Sequence, residues 1–191
     1  MRQLEERLVL LCLLSIPLLV PSFGFVASGA HFHQLARSSC RNHISWLGAM
    51  CPEVPLIARP GREIAVVALG WFWGPQPEFR ALYGVERCLV WYAGGIEEDP
   101  SYSDMKDYTE SIFIEFNKSQ ITYDSILSKW KALSAPYPTD RQYRTAIFFL
   151  SQQQELLAND ASRGMDSVFV EPVTRFFMAE ERHQNFLDRL G

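Results

Sequence analysis

Ile64-Ala65-Val66-Val67-Ala68-Leu69, then Gly70-Trp71-Phe72-Trp73-Gly74, then Pro75-Gln76-Pro77-Glu78-Phe79-Arg80: this stretch decides the fold. The first run is short, apolar and β-branched, which reads as a buried strand. Pro75 and Pro77 suit the first turn of a helix, where a missing N–H would be without a partner anyway. The middle five residues are therefore a corner between a strand and a helix, with Gly70 and Gly74 letting the backbone turn. Trp71 stands just before the helix start, where free N–H donors and the positive end of the helix dipole are felt.

Downstream of this corner the pattern continues as strands mixed with helices. Val85 to Tyr92 is strand-like and stops at Ala93-Gly94-Gly95, and Ile96 to Asp107 is acidic and turn-rich. Glu110, Ile112, Ile114 and Phe116 alternate onto one face of a strand. Thr122 caps a helix carrying Tyr123, Ile126, Leu127, Trp130 and Leu133 at helical spacing. Tyr143 to Leu150 reads as a strand, and Ser151 with Gln154 as a capping box for a helix ending near Gly164. Ser167 to Val170 is strand-like before Pro172, and Glu180 to Leu190 reads as a final helical segment. No internal repeat is present. The expected class is α+β, a single domain with a mixed or antiparallel sheet packed against helices, over residues 63–191.

Upstream, the uncharged run Leu8 to Val20 has the length of a signal-peptide core and is short for a membrane span. Small residues Ala27-Ser28-Gly29-Ala30 come next, so residues 1–28 are expected to be a cleaved signal peptide. Between Ala30 and Arg62 stand four Arg, three Ser, three His and one acid, Glu53, the composition of a transit-like leader over residues 29–62. A secretory or secreted destination is expected, with import into a plastid through a bipartite leader as the alternative. No membrane attachment is expected after cleavage.

Residues 1–60 carry five Arg against three Glu, so the −4 net charge of the 191-residue chain is concentrated in residues 61–191. That balance argues against a nucleic-acid surface. With 48% apolar residues the chain can bury a substantial core and is expected to be monomeric. Cys12, Cys40, Cys51 and Cys88 are too few and too irregular for a metal site or a disulfide scaffold, and Cys88 on its strand reads as a small core hydrophobe.

The corner resembles the Gly-Cys-Phe-Trp-Gly motif of the A-type peptide methionine sulfoxide reductases, with Trp71 at the cysteine position. Tyr92-Ala93-Gly94-Gly95 is similar to that family's Tyr-Thr-Gly-Gly, and Asp99-Pro100-Ser101-Tyr102 to its Asn-Pro-Thr-Tyr. Glu110 stands at the glutamate of His-Ala-Glu, with Tyr108 in place of the histidine. Gln142-Tyr143-Arg144-Thr145-Ala146-Ile147 is close to Gln-Tyr-Arg-Ser-Ala-Ile. Phe176 to Gln184 is close to Phe-Tyr-x-Ala-Glu-x-Tyr-His-Gln, and the family's C-terminal resolving cysteines have no counterpart. The resemblance spans about residues 63–187 and implies a two-layer sandwich with a ferredoxin-like core.

It also implies a chemistry. In the family the cysteine, selenocysteine in some members, attacks the sulfoxide sulfur of oxidised methionine while a glutamate and two tyrosines engage the oxygen. Those roles carry over onto Glu110, Tyr102 and Tyr143, with Phe72 and Trp73 as an apolar wall and Asp140 as a further substrate contact. Glu110 lies on the apolar face of its strand, so burial should raise its pKa and keep it protonated. Taken singly, Glu110 reads as an exposed strand-end residue, and the tyrosines and Phe72 and Trp73 as packing aromatics. His183 reads as packing for the C-terminal segment. Indole forms neither a thiolate nor a sulfenic acid, so Trp71 removes the nucleophile. Three readings are open: an inactive relative, an active reductase in which residue 71 is really cysteine or selenocysteine, or a non-catalytic module binding methionine peptides. No bound cofactor is expected. The substrates would be oxidised methionine in proteins or free methionine sulfoxide, with thioredoxin or a small thiol as reductant.

Overall fold

β1 (Arg62–Leu69) runs up the middle of a six-stranded sheet, which is why its sequence is apolar without alternation. Ile64 to Leu69 are each no more than 3% exposed. The computed structural model describes residues 56–134 and 140–190, all within one compact unit. The expected signal peptide and most of the leader lie outside the described residues.

The other strands are β2 (Val85–Ala93), β3 (Thr109–Asn117), β4 (Thr145–Phe149), β5 (Val168–Pro172) and β6 (Phe176–Met178). The order across the sheet is β5-β4-β1-β3-β2-β6. β1 pairs antiparallel with β3 and β4, β2 antiparallel with β3 and β6, and β4 parallel with β5. Helix α1 (Pro75–Arg80) links β1 to β2, α2 (Tyr123–Leu133) links β3 to β4, and α3 (Gln152–Ala161) links β4 to β5. All three pack on one face, where Phe79, Ile126, Leu127, Trp130 and Ala158 join Val67, Leu69, Val90, Ile112 and Ile114. The block β4-β1-β3-β2 with α1 and α2 on one side is the split βαβ arrangement of ferredoxin-like folds, as expected. On the opposite face Val66, Ala68, Trp91, Phe113, Phe148 and Phe176 form a second apolar layer.

Several local expectations shift. Thr122 caps α2 as read, its side chain accepting the Ser125 N–H. Ser151 caps α3, accepting the Gln154 N–H (3.2 Å). The Gln154 side chain reaches back one residue beyond the cap, its Oε1 accepting the Leu150 N–H (3.0 Å) while its Nε2 donates to Ile64 O (2.8 Å) and Glu63 (3.0 Å) on β1. β4 starts at Thr145 and not Tyr143, because Asp140 to Tyr143 closes a turn through Tyr143 N–H to Asp140 O (3.1 Å). The final segment is two short 3-10 turns, Glu181–His183 and Leu187–Arg189, separated by Asn185 at φ 51°. Residues 56–62, read as leader, pack on the domain. Leu56 and Ala58 join the second apolar layer, and Arg59 donates its backbone N–H (2.9 Å) and Nε (2.8 Å) to the buried Glu115. A carboxylate with no exposed surface needs such a partner, and this one comes from ahead of the first strand.

Candidate active site

The corner after β1 is built by Gly70, which turns at φ 69°, and by a short α1 of six residues. Gly74 sits in ordinary helical conformation at the start of α1, so only Gly70 uses a conformation that glycine alone adopts easily. The turn drops Phe72 into the core at 1% exposure and leaves Trp71 on the surface at 56%.

Glu110 opens β3 opposite Tyr92 of β2 and has no exposed surface. Its Oε2 accepts the Phe72 N–H (3.2 Å) and its Oε1 accepts from Gln142 Nε2 (2.9 Å). Burial, opposed only in part by these two bonds, pushes its carboxyl up to about 7. The carboxyl therefore keeps its proton to higher pH than a free glutamate does, the direction its face of the strand suggested. Tyr143 lies beside it, its hydroxyl raised to about 12 by burial and by the neighbouring Glu110 and Tyr102.

The aromatic side chains form a column. The Trp71 ring stacks on Trp73 at 5.3 Å and meets the edge of Tyr143 at 6.4 Å. Its Nε1–H donates to Tyr102 Oη at 2.8 Å. Trp73 lies parallel to Tyr102 at 5.9 Å and is backed by Phe186 at 3.9 Å. Phe72 stacks between Tyr92 and Tyr102, at 6.2 Å from each. Trp71 thus lies over the aromatic wall as a lid on the surface, with more than half of it in contact with solvent, and not as a plug in the core.

A family model described as peptide methionine sulfoxide reductase matches residues 63–190. This chain belongs to that family. The peptide methionine sulfoxide reductase of Fragaria ananassa is 28% identical over 176 residues, covering 82% of this chain and 90% of its own. Methionine sulfoxide reductase A of Corynebacterium diphtheriae shares the fold with a TM-score of 0.64 at 24% identity, covering 69% of this chain and 76% of that one. Mxr1 from Saccharomyces cerevisiae, in a crystal structure of its complex with Trx2, gives 0.50 at 20% identity, covering 67% and 88%.

In this member of the peptide methionine sulfoxide reductase family, the structure gathers Trp71, Phe72, Trp73, Tyr102, Glu110 and Tyr143 at one corner. Asp140 is exposed beside Tyr143, whose hydroxyl feels its charge; its Oδ1 accepts the Gln142 N–H (2.9 Å) and shapes the turn carrying Gln142 and Tyr143. Three residues that sequence reasoning passed over also take part. Gln142 holds Glu110, and its place directly before Tyr143 was the available signal. His183 does more than pack its own segment, since its ring stacks on Tyr102 at 4.2 Å. Burial, opposed in part by the neighbouring Glu180, keeps the His183 imidazole below its usual pKa. Glu180 accepts the Tyr102 N–H (3.1 Å) and the Tyr92 hydroxyl (2.5 Å). Cys88, the free cysteine among the described residues, is buried, with its thiol pushed up to about 12 by burial. Such a thiol is inert at neutral pH. Among the described residues no cluster of ligands could hold a metal ion, and no helix is long and apolar enough to cross a membrane.

Proposed function

We propose that this chain keeps the sulfoxide-recognising surroundings of a peptide methionine sulfoxide reductase but does not carry out the reduction. The observation that carries this reading is the indole of Trp71 lying where the family's nucleophile stands, hydrogen-bonded to Tyr102 and stacked on Trp73. Reduction needs a thiolate or selenolate to attack the sulfoxide sulfur while the oxygen takes up a proton. The S–O bond breaks, methionine is released as the thioether, and the oxygen stays on the nucleophile as a sulfenic (or selenenic) acid; a second thiol reduces that to a disulfide-type bond with loss of water. An indole can do neither part of this. The chain is therefore a non-catalytic relative suited to holding oxidised methionine or methionine-containing peptides.

The experiment is an assay with methionine sulfoxide and either dithiothreitol or thioredoxin. No turnover is expected from the natural chain. Trp71→Cys should gain activity with dithiothreitol, because a small thiol can reduce a sulfenic acid without a resolving cysteine. Turnover by the natural chain would sink this reading: loss of it on Cys51→Ser would mark a relocated nucleophile, and survival in Cys51→Ser and Cys88→Ser would overturn the thiol mechanism as well.

A second reading is favoured by one feature. Glu110 is buried, raised to about 7 and held by Phe72 and Gln142, as an acid facing a sulfoxide oxygen would be. This set would serve an active enzyme if the encoded residue at 71 were cysteine or selenocysteine, and sequencing the codon decides between the two. Under that reading thioredoxin is the reductant to test first, supported by the complex of the yeast relative with Trx2. A secretory or plastid location is proposed from the leader composition, and N-terminal sequencing of native material tests it.

A further inference from the structure

The C-terminal segment enters the corner through Glu180, which sits two residues after β6. Its two carboxylate oxygens are divided between two elements. Oε1 accepts the backbone N–H of Tyr102 (3.1 Å), in the long loop between β2 and β3, and Oε2 accepts the hydroxyl of Tyr92 (2.5 Å) on β2. Tyr92 is fully buried in the sheet, so it is a fixed point, and the loop carrying Tyr102 has no sheet pairing of its own at that residue. Glu180 therefore ties a loop tyrosine to the rigid strand. Three residues on, His183 covers the Tyr102 ring at 4.2 Å, which fixes its plane as well as its backbone. Both oxygens are engaged by groups of the protein itself, Arg182 lying at 3.5 Å from Oε1 as well, so Glu180 is read as a support and not as a substrate contact.

We propose that Glu180 is a positioning residue for Tyr102: it holds the loop amide against Tyr92 so that the Tyr102 hydroxyl is presented at the corner beside Trp71. The inference rests on the proposal that this corner recognises a sulfoxide, and it names the residue that sets one of the oxygen donors. A charged acceptor shared by an amide and a phenol is stronger than a neutral one, which suits holding a loop. Small displacements matter here, since moving a group by about 1 Å can cost on the order of a hundredfold in rate.

The natural chain already contains a reporter, the Trp71 indole N–H, whose acceptor is Tyr102 Oη. In nitrogen-15 NMR of the indole groups, assigned with Trp71→Phe, Glu180→Ala should move the Trp71 signal to the position that Tyr102→Phe produces. Glu180→Gln, which keeps an oxygen acceptor for the Tyr102 amide, should leave it close to its natural position. In the unmodified protein, exchange of the Tyr102 backbone amide with deuterium should be slowed. A Trp71 signal unmoved by Glu180→Ala but moved by Tyr102→Phe overturns the proposal, and so does an unprotected Tyr102 amide, a result that needs no variant to fold. In a Trp71→Cys background, Glu180→Ala should lower kcat about tenfold or more with KM little changed. It should add little once Tyr102 is already Phe. Equal losses in both backgrounds would mark Glu180 as merely structural and overturn the assignment. If Trp71→Cys proves inactive, it is the reading of the corner as a reductase relic that fails, while the NMR and exchange results still decide the role of Glu180.

Discussion

At Glu110 one carboxyl joins the stability of the fold to the chemistry of the corner. Its pKa is about 7 when folded, against roughly 4.3 for a free glutamate. The folded state therefore binds more protons than the unfolded one between those values, and stability falls as pH rises through the window. It is fully present below the unfolded pKa and lost above the folded one, by an amount on the order of 3 kcal/mol. Urea unfolding between pH 4 and 8 should show this decline, and Glu110→Gln should flatten it. If, as proposed, this proton is the one delivered to the sulfoxide oxygen in Trp71→Cys, kcat/KM should drop as pH passes about 7. Glu110→Ala should remove most of the rescued activity, on the order of a hundredfold or more. Tyr143→Phe should cost less, since Tyr102 remains. Rescued activity indifferent to Glu110→Ala would mean that another group supplies the proton.

Among the elements, β6 is the one that sequence patterning could not show. Three residues, Phe176–Met178, are too few for a period, and they join the sheet only because β2 offers Trp91, Tyr92 and Ala93 as partners. The ladder is then extended by a side chain. Gln184 accepts the Val90 N–H (3.0 Å) and donates to Val90 O (2.8 Å) and Ala179 O (3.0 Å). Its amide stands in for the next residue of the strand. Gln184→Ala should leave a buried Val90 N–H without its acceptor and cost about 2 kcal/mol in urea unfolding. A loss below about 0.5 kcal/mol would show that water replaces the amide. The C-terminal segment is also pinned by Arg80 of α1, which pairs with Asp188 (2.6 Å) and with Asn185 (2.6 Å). Both contacts are exposed, so each adds little.

For the whole molecule, the boundary of the folded unit lies ahead of the first strand. Glu115 is buried toward the end of β3, and its carboxylate is met by Arg59 at 2.8 Å and more loosely by Arg87 at 3.5 Å. Removing Arg59 withdraws the nearer guanidinium. Arg59→Ala should destabilise the protein by about 1–3 kcal/mol, softened by Arg87. A chain starting at residue 63 should lose more, because the Arg59 backbone donor goes and Leu56 and Ala58 leave the second apolar layer as well. Equal urea midpoints for chains starting at residues 50 and 63 would show that the segment contributes nothing. A cleavage of the leader compatible with this fold falls before Leu56.

The residues of a contiguous pattern were legible in advance. Ile64 to Leu69 predicted a buried strand, the alternation from Glu110 to Phe116 predicted a strand, and Thr122 and Ser151 marked two helix starts, because these depend on local spacing and capping. The corner motif and its five companions indicated the candidate site by position. What depended on distance along the chain could not be read: that Gln142 would hold Glu110, that Glu180 and His183 would reach back across some eighty residues to Tyr102, and that Arg59 would answer a charge on β3. Sequence by itself determined the class of fold and which side chains the corner holds, since periodicity and motif are local. Only the tertiary structure decided their hydrogen-bond partners and the surface position of Trp71, because burial and pairing exist only once separate elements close on one another.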